Sequence, residues 1–423
     1  MSLGVGRPDT AELRRRVAAA YAARREALAT LWRARAGRAA LCAVGAVAVA
    51  TVIGLAVLWP TQTLPMLDGG RDAERAEVLQ VTTDGCRPDV GKGCRILQIR
   101  LASGPQEGAR TSAVFSGDAL SPLIEVGARV RVIANVAAGE AAGVPLVGST
   151  TQPWVFVDYD RRAPLLWLAL AFAVVIVVLG RRRGLFALVG LGASLFLLVR
   201  FVVPAILEGR SPVLVAVVGA LAVLQVTLLL AHGLSIVTVA ATLGASATLI
   251  LTVLLAQLSV QASQLTGFVS DQAVLLQGLS GGAVSPQGLL LAGIVIGALG
   301  VLDDVTVSQA STVAALRRAA PDRSARELYR EAVTVGRDHL AATVNTLALA
   351  YAGAALPVLL VFSTTGTSLV ETANREIVAQ ELVALLVGSI GIAAAVPLTT
   401  AIAVMLARRL PVAALGSGHG HAH

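Results

Sequence analysis

The chain reads as eight long apolar runs, with one long interruption of a different period after the first. The runs occupy residues 39–59, 163–180, 185–207, 212–231, 234–260, 289–314, 339–362 and 382–406. About 20 consecutive apolar residues cross the hydrocarbon core of a bilayer as a helix, so each run is a predicted span. Residues 60–162 alternate instead with period two. Val78, Leu79 and Val81 form one run, Ile96, Ile99 and Leu101 the next, then Val130 and Val132 around Arg131, then Val155 and Val157. Gly, Pro, Asp and Ser separate these runs, which is the pattern of short antiparallel strands. Five or six strands in about a hundred residues make a small β-barrel or sandwich, an OB-like barrel being one form.

The predicted fold is therefore a membrane all-α helical bundle of about eight transmembrane helices with a small extracytoplasmic β-rich domain. Residues 1–38 form a cytoplasmic basic arm and 39–59 the first transmembrane helix. Residues 60–162 form the β-rich domain, and 163–410 a bundle of about seven helices; 411–423 is a cytoplasmic tail. Within the bundle, 315–338 reads as an amphipathic cytoplasmic segment. Ser324 and Glu327 have the spacing of a capping box, with Leu328, Ala332 and Val335 on one side.

Composition agrees with this picture: 56% of residues are hydrophobic and 14% charged, where a soluble domain runs near a quarter charged. The net charge of +8 does not indicate a nucleic-acid partner, because the arginines gather at the ends of apolar runs. Arg181, Arg182, Arg183, Arg317, Arg318, Arg408 and Arg409 all fall on segments that an inside N-terminus places inside. This topology predicts a multi-pass membrane protein with both termini cytoplasmic and the lipid bilayer as first partner. The strands also lack the aromatic platform of a nucleic-acid-binding OB surface.

The strongest candidate chemistry is Asp303-Asp304, since carboxylates inside a span are expensive and face protein or water. Gly293, Gly297, Gly300 and Asp304 fall on one helical face by steps of four, three and four. Small residues there allow a second helix to approach closely, which predicts Asp304 buried against a partner and Asp303 turned away. Depth decides between a mid-membrane ion or proton site and an interfacial pair bonded to Arg317 or Arg318. In the next span Asn345 and Thr346 lie at a similar depth, so an Asn345–Asp304 contact is geometrically open, as is simple packing through Asn345. Ser308 follows Asp304 by one turn. Cys86 and Cys94 flank a turn-like stretch and are candidates for a disulfide on an oxidising face. No metal-ligand set, cofactor motif or soluble-enzyme constellation is legible, so an enzyme is not expected.

Gly297-Ala298-Leu299-Gly300, Asp303-Asp304 and Ser308, followed by Gly336-Arg337-Asp338, Asn345-Thr346-Leu347 and Ala350-Tyr351, resemble the YibE/F family of bacterial multi-pass membrane proteins. The resemblance covers roughly 160–410. It implies a helical bundle with an extracytoplasmic N-terminal domain and, for activity, at most a permease. Two functions remain open from the sequence. One is transport of a small solute or ion along Asp303, Asp304 and Asn345. The other is a scaffold whose β-domain binds an envelope partner or a second copy.

Overall fold

The computed structural model describes residues 29, 32–61, 73–82, 95–115, 124–134, 153–269, 271–364, 366–409 and 412. Cys86 and Cys94, most of the basic arm and the tail beyond 412 lie outside the described residues, so the disulfide expectation is not addressed. The chain divides into two compact units, Thr63–Leu179 and the combination of Met1–Gln62 with Gly180–His423.

In the first unit, five strands close into a barrel: β1 (Glu74–Thr82), β2 (Arg95–Leu101), β3 (Arg110–Phe115), β4 (Arg129–Ala134) and β5 (Trp154–Tyr159). Around the barrel the order is β1-β2-β3-β5-β4, with β4 returning to β1. All pairs are antiparallel except β3 with β5. Closure leaves no free strand edge to recruit another chain. Alternation directs Ala76, Val78, Leu97, Ile99, Leu101, Val130 and Val132 inward, where they pack with Ala113, Phe115 and Trp154. The outward residues pair across the strands, as in the Arg100–Glu77 ion pair at 3.0 Å. Of the two forms the alternation allowed, the barrel is the one formed. After β5, Asp160 accepts hydrogen bonds from Arg162 Nε at 2.8 Å and Nη2 at 2.9 Å. That two-pronged contact holds the Asp160 carboxyl down to about 2.

Eight helices among the described residues are long and apolar enough to cross a membrane. They are α1 (Arg35–Leu58), α2 (Arg162–Arg181), α3 (Gly184–Leu207), α4 (Pro212–His232), α5 (Ile236–Ala262), α7 (Pro286–Ala319), α8 (Ala325–Thr364) and α10 (Glu376–Arg408). Two short helices, α6 (Asp271–Leu279) and α9 (Leu369–Asn374), precede α7 and α10. Arg181, at φ 49°, breaks the path between α2 and α3. A long apolar helix stands at each expected span, but α7 and α8 outrun them. At 1.5 Å per residue, helices of 34 and 40 residues reach about 50 and 60 Å, well beyond a hydrocarbon core of about 30 Å. The segment expected at 315–338 is consequently not a separate helix. It is divided between the end of α7 and the first turns of α8, around a turn at Pro321 and Asp322.

The core of the second unit is built by α4, α5, α7 and α10, with α1 against α4 and α5 and with α8 against α7 and α10. Glycine sets the closest approaches. A methyl at Gly244 of α5 would meet Thr399 of α10, backbone included, and one at Gly391 of α10 would meet Thr252 of α5. The two contacts are eight residues apart on each helix and in opposite order, so α5 and α10 run antiparallel along one seam. This is the small-residue packing that membrane helices use when lipid offers no hydrophobic drive. Glu376, at the start of α10, ties down the chain after α5. Its Oε1 accepts from Thr266 N at 2.5 Å and Gly267 N at 2.8 Å.

The two ends of the bundle differ in charge. Arg317, Arg318, Arg323, Arg326, Arg330, Arg408 and Arg409 gather where α7 and α10 end and α8 begins. That these elements meet is shown by Arg408 Nη1, which donates to the Arg323 carbonyl at 2.7 Å. At the opposite end Arg210 and Arg375 are accompanied by Glu208, Glu371 and Glu376.

Candidate functional site

Asp303 and Asp304 stand at the middle of α7, about 25 Å along the axis from either end. From Pro286 to Leu316 they are the only charged residues. Neighbouring positions on a helix diverge by about 100°, and the two carboxylates have separate surroundings. Asp303 is half-buried toward α4, where Thr227 Oγ1 donates to its Oδ2 at 3.1 Å. Its Oδ1 is buried without a donor. Asp304 faces the open side with 77% of its side chain exposed, and its Oδ2 lies 3.6 Å from His339 Nε2 on α8. Protonated His339 makes this an ion pair; neutral His339 leaves Asp304 uncompensated. Among the described residues no third His, Cys, Asp or Glu completes a metal-ligand set here.

This reverses the orientation expected from the glycine stripe. Gly293, Gly297, Gly300 and Asp304 do share a face, but it is the exposed one. A methyl at Gly293 or Gly300 would meet nothing within 4 Å, and one at Gly297 would meet only the Tyr351 hydroxyl, at 3.3 Å. The crowded face of α7 is the one bearing Ala292, Val295, Leu299, Leu302, Val305 and Gln309, because α4, α5 and α10 all lie on that side. The stripe instead floors a shallow groove alongside α8. Asn345 does not reach Asp304: it is exposed and, six residues beyond His339, turned about 120° from it around α8. Thr346, seven residues beyond, returns to the face of His339, and its hydroxyl donates to the Ala342 carbonyl at 3.0 Å. Ser308 is half-buried one turn from Asp304.

A second polar group lies on the crowded side and was given no role from the sequence. Gln309 is 1% exposed. Its Oε1 lies 3.0 Å from the Thr400 hydroxyl, which also lies 2.6 Å from the Val396 carbonyl. Its Nε2 has no acceptor and is wedged against Gly336 of α8. Thr399 and Ser246 are likewise buried with unpartnered hydroxyls. Thr248, Thr252 and Thr306 are satisfied on their own helices, each donating to a carbonyl four residues back. The available signal was a Gln and a Thr-Thr pair inside otherwise apolar runs, together with the glycines opposite them.

Eight helices long and apolar enough to cross a membrane, with hydroxyls, a glutamine and a carboxylate among α4, α5, α7 and α10, define a multi-pass membrane protein. Residues 168–409, more than half of the chain, match the family described as YibE/F-like protein, and the chain belongs to that family. No curated protein and no solved structure matches it.

Proposed function

We propose that this protein is a permease of a bacterial cytoplasmic membrane that moves a small ion or solute along the groove between α7 and α8, and that it is not an enzyme. The observation that carries this reading is Asp304, which is largely exposed at the middle of a helix long enough to span the membrane. A carboxylate facing lipid at that depth is strongly unfavourable, whereas one lining a water-filled path is a functional group. Asp303, with one oxygen on Thr227 and the other unpartnered, supplies a second acceptor on the same turn. His339 of α8 sets an imidazole beside Asp304, with Nε2 3.6 Å from its Oδ2. The glycine stripe puts no side chain on the groove face of α7 at Gly293, Gly297 and Gly300. In this reading the arginine-rich end faces the cytoplasm, both termini lie there, and the barrel lies outside.

The test is flux in liposomes containing the purified full-length protein and a pH-sensitive dye, under imposed proton, sodium or potassium gradients. Wild type is expected to carry one of these ions, and Asp303→Asn and Asp304→Asn to fall to the level of protein-free liposomes while eluting as wild type does. If wild type moves none of them, or if both variants transport normally, the pathway reading fails. A scaffold acting through its barrel then becomes the better account.

A further inference from the structure

At the arginine-rich end, a surface cavity of about 470 Å³ opens between the start of α8 and the end of α10. Its walls divide by chemistry. Ala401, Val404 and Met405 of α10 form an apolar floor, Arg408 and Arg409 stand at the end of that same helix, and Arg326 and Tyr329 face them from α8. Ala401, Met405 and Arg408 recur by four and three residues, so they form one strip along α10, apolar toward the bundle and cationic toward its end. Two nearby carboxylates are already engaged. Glu327 Oε2 accepts from Ser324 N at 2.7 Å and Ser324 Oγ at 2.8 Å, and Glu331 pairs with Arg323. Arg408 is held by its bond to the Arg323 carbonyl. Neither Arg326 nor Arg409 has a carboxylate partner among the described residues.

We propose that this cavity is a binding site for the headgroup phosphate of an anionic phospholipid, with Arg326 and Arg409 as its principal donors and the Ala401–Met405 strip beneath an acyl chain. A phosphate diester alone would account for the arginines. It would not account for an exposed apolar strip running from them along a membrane helix, which a lipid covers. Guanidinium groups suit phosphate because their donors match its oxygens in pairs. Tyr329 suits the headgroup level, where amphipathic rings are favoured. Basic pockets between membrane helices on the cytoplasmic side are the sites at which anionic headgroups collect. The site stands apart from the α7–α8 groove and does not depend on any transport activity.

The experiment uses the purified full chain in neutral detergent, with phosphatidylglycerol, phosphatidylcholine or inorganic phosphate added. Thermal stability and the number of lipids retained in native mass spectrometry are both read. Phosphatidylglycerol is expected to raise the Tm of wild type by about 3–5 °C over phosphatidylcholine. The gain and the retained lipid are expected to disappear in Arg326→Gln/Arg409→Gln and to survive in part in Arg326→Lys/Arg409→Lys. Equal responses to the two lipids, or a phosphatidylglycerol response that persists in the Gln variant, overturn the site. Inorganic phosphate matching phosphatidylglycerol overturns the assignment to lipid. Lipid counting does not depend on stability, so a Gln variant that melts early still decides the question.

Discussion

At the scale of single residues, close contacts at glycine and unpartnered polar atoms make the sharpest predictions. A methyl at Gly336 would lie 2.5 Å from Gln309 Nε2 and 2.7 Å from Val396 Cγ1. Overpacking of this kind costs about 1–3 kcal/mol, so Gly336→Ala is expected to lower the Tm of the purified protein. Part of the obstruction is the end of a glutamine side chain, so Gln309→Ala should restore some of the loss, and the pair should be non-additive in a double-mutant cycle. Gly244→Ala has no such relief, because the added methyl would meet the Thr399 backbone at 3.0 Å. It is expected to be the more damaging of the two glycine substitutions. The groove makes a different prediction. In a background with Cys42, Cys86 and Cys94 replaced by Ser, Thr346→Cys and Gly300→Cys are expected to react with a membrane-impermeant maleimide. Leu349→Cys, on an exposed apolar position of α8, is expected to react only with a permeant one. Labelling of all three by the permeant reagent alone would mean that lipid, not water, fills the groove.

At the scale of elements, the spans were legible because freedom from charge over a bilayer's thickness is a local property of the sequence. Four of the five strands were legible from alternation. The fifth, β3, was not, since Arg110-Thr111-Ser112 precede Ala113-Val114-Phe115 with no period, and its place is fixed by pairing with β2 and β5. Asp303 and Asp304 were legible as chemistry, but their orientation was not. Which face of α7 is crowded depends on α4, α5 and α10, whose positions no local pattern encodes. The same limit hid Gln309, whose meaning comes from Gly336 on another helix. Two junctions are testable at this scale. Glu376→Gln replaces a charged acceptor of the Thr266 and Gly267 amides with a neutral one. Hydrogen bonds to charged groups contribute about 1.5–3 kcal/mol each, so a lowered Tm and faster proteolysis between α5 and α7 are expected. At the barrel's exit the Asp160 carboxyl, held near 2 by Arg162, contributes stability that is complete above its ordinary value of 3.8. That contribution is lost progressively as pH falls from there through about 2. Carboxyl NMR should place the wild-type midpoint there, and Arg162→Gln should return it toward the ordinary value.

At the scale of the whole molecule, the barrel interrupts the bundle: α1 precedes it in sequence, yet packs against helices that follow it. Gln225 Nε2 of α4 donates to Thr51 Oγ1 of α1 at 2.8 Å across 174 residues, and Trp59 stacks on Phe201 of α3 at 5.7 Å. Synthesis at about 5–20 residues per second makes α1 wait about 10–35 s on the ribosome for the helix that satisfies it. During that interval the strands are made and can close, so the domain that comes second in the chain is finished before the one that begins it. A Thr51→Cys/Gln225→Cys pair in the cysteine-free background should therefore cross-link only in chains extended well past α4, and never in nascent chains stopped at the end of β5. The bundle is completed backwards, by late helices recruiting one inserted long before, and whatever keeps α1 from an unsuitable partner in the meantime governs how much protein reaches its mature form.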